Sequence, residues 1–148
     1  MAESVDERPR SRLGITRHPY SALLLPVPIV CFTGAFLTDL AYDNSGGNLQ
    51  WVNFSSWLLA AGLLFGVIAA ILMLIDFARL AELRTAFGWG ALALLLLTLV
   101  IEFVNSLVHA RDGWTAVVPA GLILSVISAV LIMSYGWLWH ETRYGDRP

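Results

Sequence analysis

Phe54 to Asp76 reads FSSWLLAAGLLFGVIAAILMLID, with no formal charge before its last residue. The charge-free gap in fact reaches back to Asp43. A helix needs ~20 apolar residues to cross a bilayer. This run is continuous, without the ten-residue alternation of a membrane barrel strand, so it reads as a helix. Three further gaps share its character. They lie between Arg17 and Asp39, between Asp112 and Glu141, and from Arg84 to Glu102, the last staying apolar to about Ala110. The sequence therefore predicts four transmembrane helices, at about 20–41, 54–76, 87–109 and 115–139.

The whole chain agrees. Of 148 residues, 57% are hydrophobic and 14% charged, and the mean hydropathy is +0.70. A soluble domain carries ~25% charged residues. A soluble fold of this size has too little interior to hide so much apolar surface. A soluble enzyme, a disordered chain and a nucleic-acid binder are excluded. What remains is an all-α integral membrane protein, with residues 17–148 as one domain behind a flexible polar segment, 1–16.

The connections are short. Tyr42 to Asn53 holds the turn-forming Asn44, Ser45, Gly46, Gly47 and Asn48; Asp76 to Ala86 and His109 to Trp114 form the other two. Short links make successive helices antiparallel neighbours, which gives an up-down bundle of four. All nine basic residues are arginines. Arg8, Arg10, Arg12, Arg17, Arg79, Arg84, Arg143 and Arg147 fall on one side of that topology, and only Arg111 falls on the other. The positive-inside rule then puts both termini in the cytoplasm.

Two packing signals stand out. Gly62-x-x-x-Gly66 in the second helix, and Gly121 with Ser125 in the fourth, have the spacing that lets helix backbones approach closely. They predict contacts inside the bundle, or a homodimer. Pro26 and Pro28 lie within the first helix and predict a kink or a broken first turn there.

Glu102 is the sharpest polar feature, two-thirds of the way along the third helix. A charge there costs on the order of 2.5–3.5 kcal/mol on insertion scales. Asn105, Ser106 and His109 follow on the same helical face. Asp39, near the outer end of the first helix, has a similar depth. Asp39, Glu102, Asn105 and His109 form the candidate polar membrane cluster, a proton relay or ligand site. The plainer alternative is a protonated Glu102 bonded to a neighbouring helix, with His109 at the interface.

A second group lies on the cytoplasmic side, where His18 precedes the first helix and His140 ends the fourth. Asp76, Arg79, Glu141 and Arg143 are nearby. His18 and His140 are the candidate axial ligands of a haem b, which needs two facing imidazoles. No spaced His, Cys and acidic cluster suggests a metal site, and Cys31 stands alone. G-x-S-x-G, a Gly-rich phosphate loop and C-x-x-C are all missing, so no catalytic residues are assigned and no enzyme is expected.

Several of these stretches resemble one bacterial membrane family. His18-Pro19, Pro26-Val27-Pro28-Ile29 and Thr38-Asp39-Leu40 resemble its opening, H-P-x-H-P-x-L-x-P-F-P-I followed by an Asp-Leu. Ser56 to Gly62 and Ile75-Asp76-Phe77 resemble its second helix, and Gly136-Trp137-Leu138 its closing Gly-Trp-Leu-Gly-Gly. The family is the domain of unknown function numbered twenty-two thirty-one, and the resemblance covers roughly 17–145. It implies four helices, no established activity, and a membrane redox setting, since relatives are joined to Rieske domains or lie beside sugar dehydrogenases. Here Ser21-Ala22 replaces the second His-Pro, and Gly90-Ala91 follows Gly88-Trp89 where relatives carry a His. Both departures remove polar ligands and weaken the haem inference.

The expected function is that of a small multi-pass protein of the bacterial inner membrane. It serves as a structural or interaction subunit, or as a membrane anchor for a partner. The alternatives are a redox subunit binding haem b or quinone, and a proton-coupled transporter acting as a dimer through Glu102. The expected partners are the lipid bilayer and either a second copy or a membrane or periplasmic redox protein, without nucleic acid.

Overall fold

The computed structural model describes residues 19–111 and 117–144. They form four α-helices: α1, Pro26–Asn44; α2, Leu49–Arg79; α3, Ala86–His109; and α4, Leu122–Tyr144. A short 3-10 turn, Tyr20–Leu23, precedes α1. A wide turn, Val117–Gly121, precedes α4, with Val118 extended at φ −107° and ψ 130°. α1 packs on α2 and α4, and α3 packs on the same two, so the four close into a ring.

The boundaries follow local chemistry. The expected first span, 20–41, is broken as Pro26 and Pro28 predict. Pro26 has no amide hydrogen to extend a preceding helix, so it opens α1 instead, and α1 runs past its expected end at Ala41 to Asn44. α2 begins at Leu49 rather than 54, because the Asn48 side chain accepts from the Gln50 amide and caps the helix. The long expected loop shrinks to Ser45–Asn48, where Gly46 (φ 72°) and Gly47 (φ 92°) take a left-handed backbone. At its other end α2 continues past Asp76 to Arg79. Arg84 folds back there to donate to the carbonyls of Phe77 and Ala78, which have no partner within the helix. Thr85 caps α3 by accepting from Gly88 N at 3.0 Å. α4 runs to Tyr144 rather than ending near 139, so His140 lies within the helix.

α2, α3 and the stretch Val117–Tyr144 are each long and apolar enough to cross a membrane. α1 is not among them. It has 19 residues, and Asp39, Asp43 and two prolines dilute its hydropathy.

Burial is inverted relative to a soluble protein. Val30, Trp57, Leu64, Val100, Val130 and Trp137 point outward, while Asp39, Ser55, Asp76, Glu102, Asn105 and His109 are buried. Lipid rather than water stabilises such a surface. Phe32, Leu59, Met73, Leu95, Ile132 and Tyr135 fill the interior. Both glycines of α2 pack within this interior. A Cβ on Gly62 would run into the Phe32 ring, and one on Gly66 would sit 2.6 Å from Leu99 Cδ2. They let α1 and α3 come close to α2.

Candidate functional site

Glu102, Asn105 and His109 of α3 face inward because they recur every three or four positions on the side that packs on α4 and α1. The antiparallel hairpin of α1 and α2 brings Asp39, near the end of α1, level with Ser55, near the start of α2. Ser125 enters from the first turn of α4. All four helices thus contribute to one cluster.

Its bonds form a continuous chain. Asn105 Nδ2 donates to Glu102 Oε2 at 3.0 Å and to Ser125 Oγ at 2.8 Å. Ser125 Oγ donates to Asp39 Oδ2. Asp39 Oδ1 lies 2.9 Å from His109 Nε2. His109 Nδ1 lies 3.0 Å from the Asn105 carbonyl oxygen. Ser55 Oγ stands 3.2 Å from His109 Nε2 and 3.5 Å from the Ala35 carbonyl oxygen.

The acceptors determine where hydrogens lie. A carbonyl oxygen only accepts, so His109 Nδ1 carries a hydrogen. The Nε2 to Oδ1 contact needs another, carried by the imidazole or by the carboxyl. Both ring nitrogens of His109 thus have hydrogen-bond partners.

Glu102, Asn105 and Asp39 are fully buried, and His109 is 1% exposed. His109 is thus buried among the helices. Among the described residues, three buried oxygens around the cluster lack a hydrogen-bond partner: Glu102 Oε1, Asn105 Oδ1 and Ser128 Oγ. Ser128 adjoins Glu102 from α4. A cleft of about 250 Å3 between α2 and α3 is lined by Ser56, Leu59, Ser106, His109 and Ala110.

The structure thus brings together the four residues expected as a polar membrane cluster. It adds Ser55 and Ser128, which the sequence did not single out. Serines abound in these helices, and Ser56 and Ser106 simply bond back to their own helix, at Val52 O and Phe103 O. Only tertiary placement separates Ser55 from Ser56. Gly121 and Ser125, expected as a packing face, have polar neighbours: a Cβ at Gly121 would meet His109 Cε1 at 3.1 Å, and Ser125 joins the network.

The opposite end of the ring holds a different arrangement. Asp76 receives the backbone amides of Tyr20 (2.9 Å) and Ser21 (2.8 Å), so it caps the turn that leads into α1. Arg79 lies 3.4 Å from the same carboxylate and its guanidinium stacks 4.0 Å over the Tyr20 ring. Of the two candidate haem ligands, His18 lies outside the described residues. His140 is exposed, with its ring 5.1 Å from that of Tyr144.

Neither the curated proteins nor the solved structures include a match to the chain. The model of one family matches residues 17–147, and the helices it encompasses include every residue of the cluster, so the chain belongs to the family described as predicted membrane protein DUF2231.

Proposed function

We propose that this is a multi-pass protein of the bacterial inner membrane, with four crossings and both termini in the cytoplasm. Its role is that of a structural subunit that anchors a partner, without chemistry of its own.

A fourth crossing is supported by level. Asp39 lies against residues near the start of α2, and Ser21 lies against Asp76 near its end. From Ser55 to Asp76, α2 rises about 32 Å. Ser21 to Asp39 therefore spans the ~30 Å of a hydrocarbon core even though α1 alone is short. Arg79, Arg84 and Arg143 mark one end of the ring and Arg111 the other, which supports cytoplasmic termini.

The observation that carries the anchoring role is the closed network drawn from all four helices. Its histidine has both nitrogens engaged, and its bonds fix the helices against one another. An apolar outer surface and glycines facing the interior complete a rigid lipid-facing body. Deleting the gene tests the reading: a specific partner should leave the membrane fraction, and return when the chain is restored. If the membrane proteome is unchanged by the deletion, the anchoring role is wrong.

A further inference from the structure

We propose that the Asp39–His109 pair is a proton-binding site. It exchanges one proton with water in the cleft between α2 and α3, and Ser55 supplies the hydrogen bond that the departing proton leaves unmade.

Three observations carry this. First, a hydrogen bond between His109 Nε2 and Asp39 Oδ1 needs a proton, which the loaded site carries on Nε2. Second, Ser55 Oγ is placed between two acceptors. Its 3.5 Å approach to Ala35 O is at the limit of a hydrogen bond, and its 3.2 Å approach to Nε2 is shorter. While Nε2 bears hydrogen, the Ser55 hydroxyl hydrogen belongs to Ala35 O. Once Nε2 is bare, that hydrogen turns to it. Third, Ser56, Ser106 and His109 line a cleft adjoining the pair, which otherwise lies buried.

The exchange balances as follows. On release, the bond holding the shared proton breaks and the proton passes to water in the cleft. A neutral imidazole with hydrogen on Nδ1 and an Asp39 carboxylate remain. Two lone pairs would then face each other across the old contact, so Nε2 turns to the Ser55 hydroxyl. Asp39 keeps the Ser125 hydroxyl on Oδ2, and Nδ1 keeps the Asn105 carbonyl. Uptake reverses each step.

The groups facing the pair are few. Among the described residues, α1 contributes Asp39 and α3 contributes Glu102 and His109 as titratable groups. α2 and α4 contribute only the hydroxyls of Ser55, Ser125 and Ser128. Arg111, two positions beyond His109, is exposed. Beyond Glu102 the interior is filled by Leu95, Met73, Ile132 and the Tyr135 ring. A proton entering at His109 meets no further carboxylate or imidazole between Glu102 and Asp76 among the described residues, so the site opens to one side and is not a conducting path.

The test uses the full chain in lipid nanodiscs, with 15N-labelled histidine and solid-state NMR. His18→Gln and His140→Gln leave His109 as the sole labelled residue. As the pH is raised, the wild-type signal should pass from two protonated nitrogens to one protonated and one bare. Ser55→Ala should lower the ratio of bare to protonated Nε2 about fivefold at the same pH, the effect of one lost hydrogen bond. Asp39→Asn should move that change to lower pH, because the carboxylate that favours the second proton is gone. A wild-type signal that does not change with pH overturns the site, whatever the variants do. A Ser55→Ala protein that titrates like wild type overturns the exchange at Ser55. The anchoring role is tested separately, since a chain that retains no partner can still titrate at His109.

Discussion

Asp39 of α1 and His109 of α3, seventy positions apart, meet with Oδ1 and Nε2 at 2.9 Å, both side chains buried among the helices. Ser125 of α4 holds the other carboxylate oxygen. One carboxyl group therefore joins three helices where lipid surrounds the protein.

Removing one partner of such a pair leaves the other buried and alone. Asp39→Ala should destabilise the protein by about 3–5 kcal/mol. Asp39→Ala combined with His109→Leu should recover part of that loss, because neither group is then left unpaired. Unfolding titrations in mixed micelles measure both. If the double variant is as unstable as the sum of the single ones, the pair is not the unit that the geometry describes.

The glycines rank by what stands opposite them. A Cβ on Gly88 would meet the Leu83 backbone carbonyl, whereas one on Gly66 would meet the flexible end of Leu99. Overpacking costs about 1–3 kcal/mol. Gly88→Ala should fall at or above the upper end and Gly66→Ala at the lower, in the same micelle assay. Equal losses would show that the backbone near Leu83 yields as readily as a side chain.

Much of this was legible in the sequence, and the reasons differ by residue. The charge-free runs located α2 and α3 within a few residues because hydropathy acts over whole turns. Pro26 and Pro28 announced the break before α1. Glu102, Asn105 and His109 could be grouped by helical period alone, and Asp39 joined them once antiparallel order was assumed. Ser55 could not be separated from Ser56 in the same way, since one position of rotation decides which hydroxyl faces inward. The role of Asp76 was hidden too. Its partners are backbone amides of Tyr20 and Ser21, and amides carry no sequence signature. The α2 start was misplaced because Asn48, upstream of the point where the run turns apolar, supplies the cap.

Asp76 yields a local prediction. Its carboxylate satisfies two amides at the start of the Tyr20–Leu23 turn, and a lost cap costs about 1 kcal/mol. Asp76→Ala should speed hydrogen exchange at Tyr20 and Ser21 while leaving amides near Ser55 unchanged. Asp76→Asn should retain part of the protection, since its carbonyl oxygen still accepts. Faster exchange throughout the chain would instead assign Asp76 a global role.

The haem alternative has a direct optical test. With both nitrogens of His109 engaged, the remaining imidazoles are His18 and His140. A chain that only anchors a partner should give a featureless reduced-minus-oxidised visible spectrum after expression with ample haem precursor. A haem b band that disappears in His18→Ala or His140→Ala would replace the anchoring role with that of a redox subunit.

The topology can be read by thiol labelling. Cys31 is the one cysteine and is buried, so Cys31→Ala gives a clean background. New cysteines at Gly46 and at Glu82 report the two ends of α2: both positions are exposed, and the intervening helix is longer than a hydrocarbon core is thick. With cytoplasmic termini, an impermeant maleimide added to intact cells should label Gly46→Cys and spare Glu82→Cys, and lysis should expose both. Gly46 has a positive φ, and its replacement strains the turn, so Asn48→Cys or Ser45→Cys provides a second outer reporter. The α1 crossing needs one further site. A cysteine at Tyr20 should behave like the one at Glu82, because the Tyr20 amide is held by Asp76 at that same end. Labelling at Tyr20 from outside would mean that the first segment does not cross, and the count of spans would fall to three.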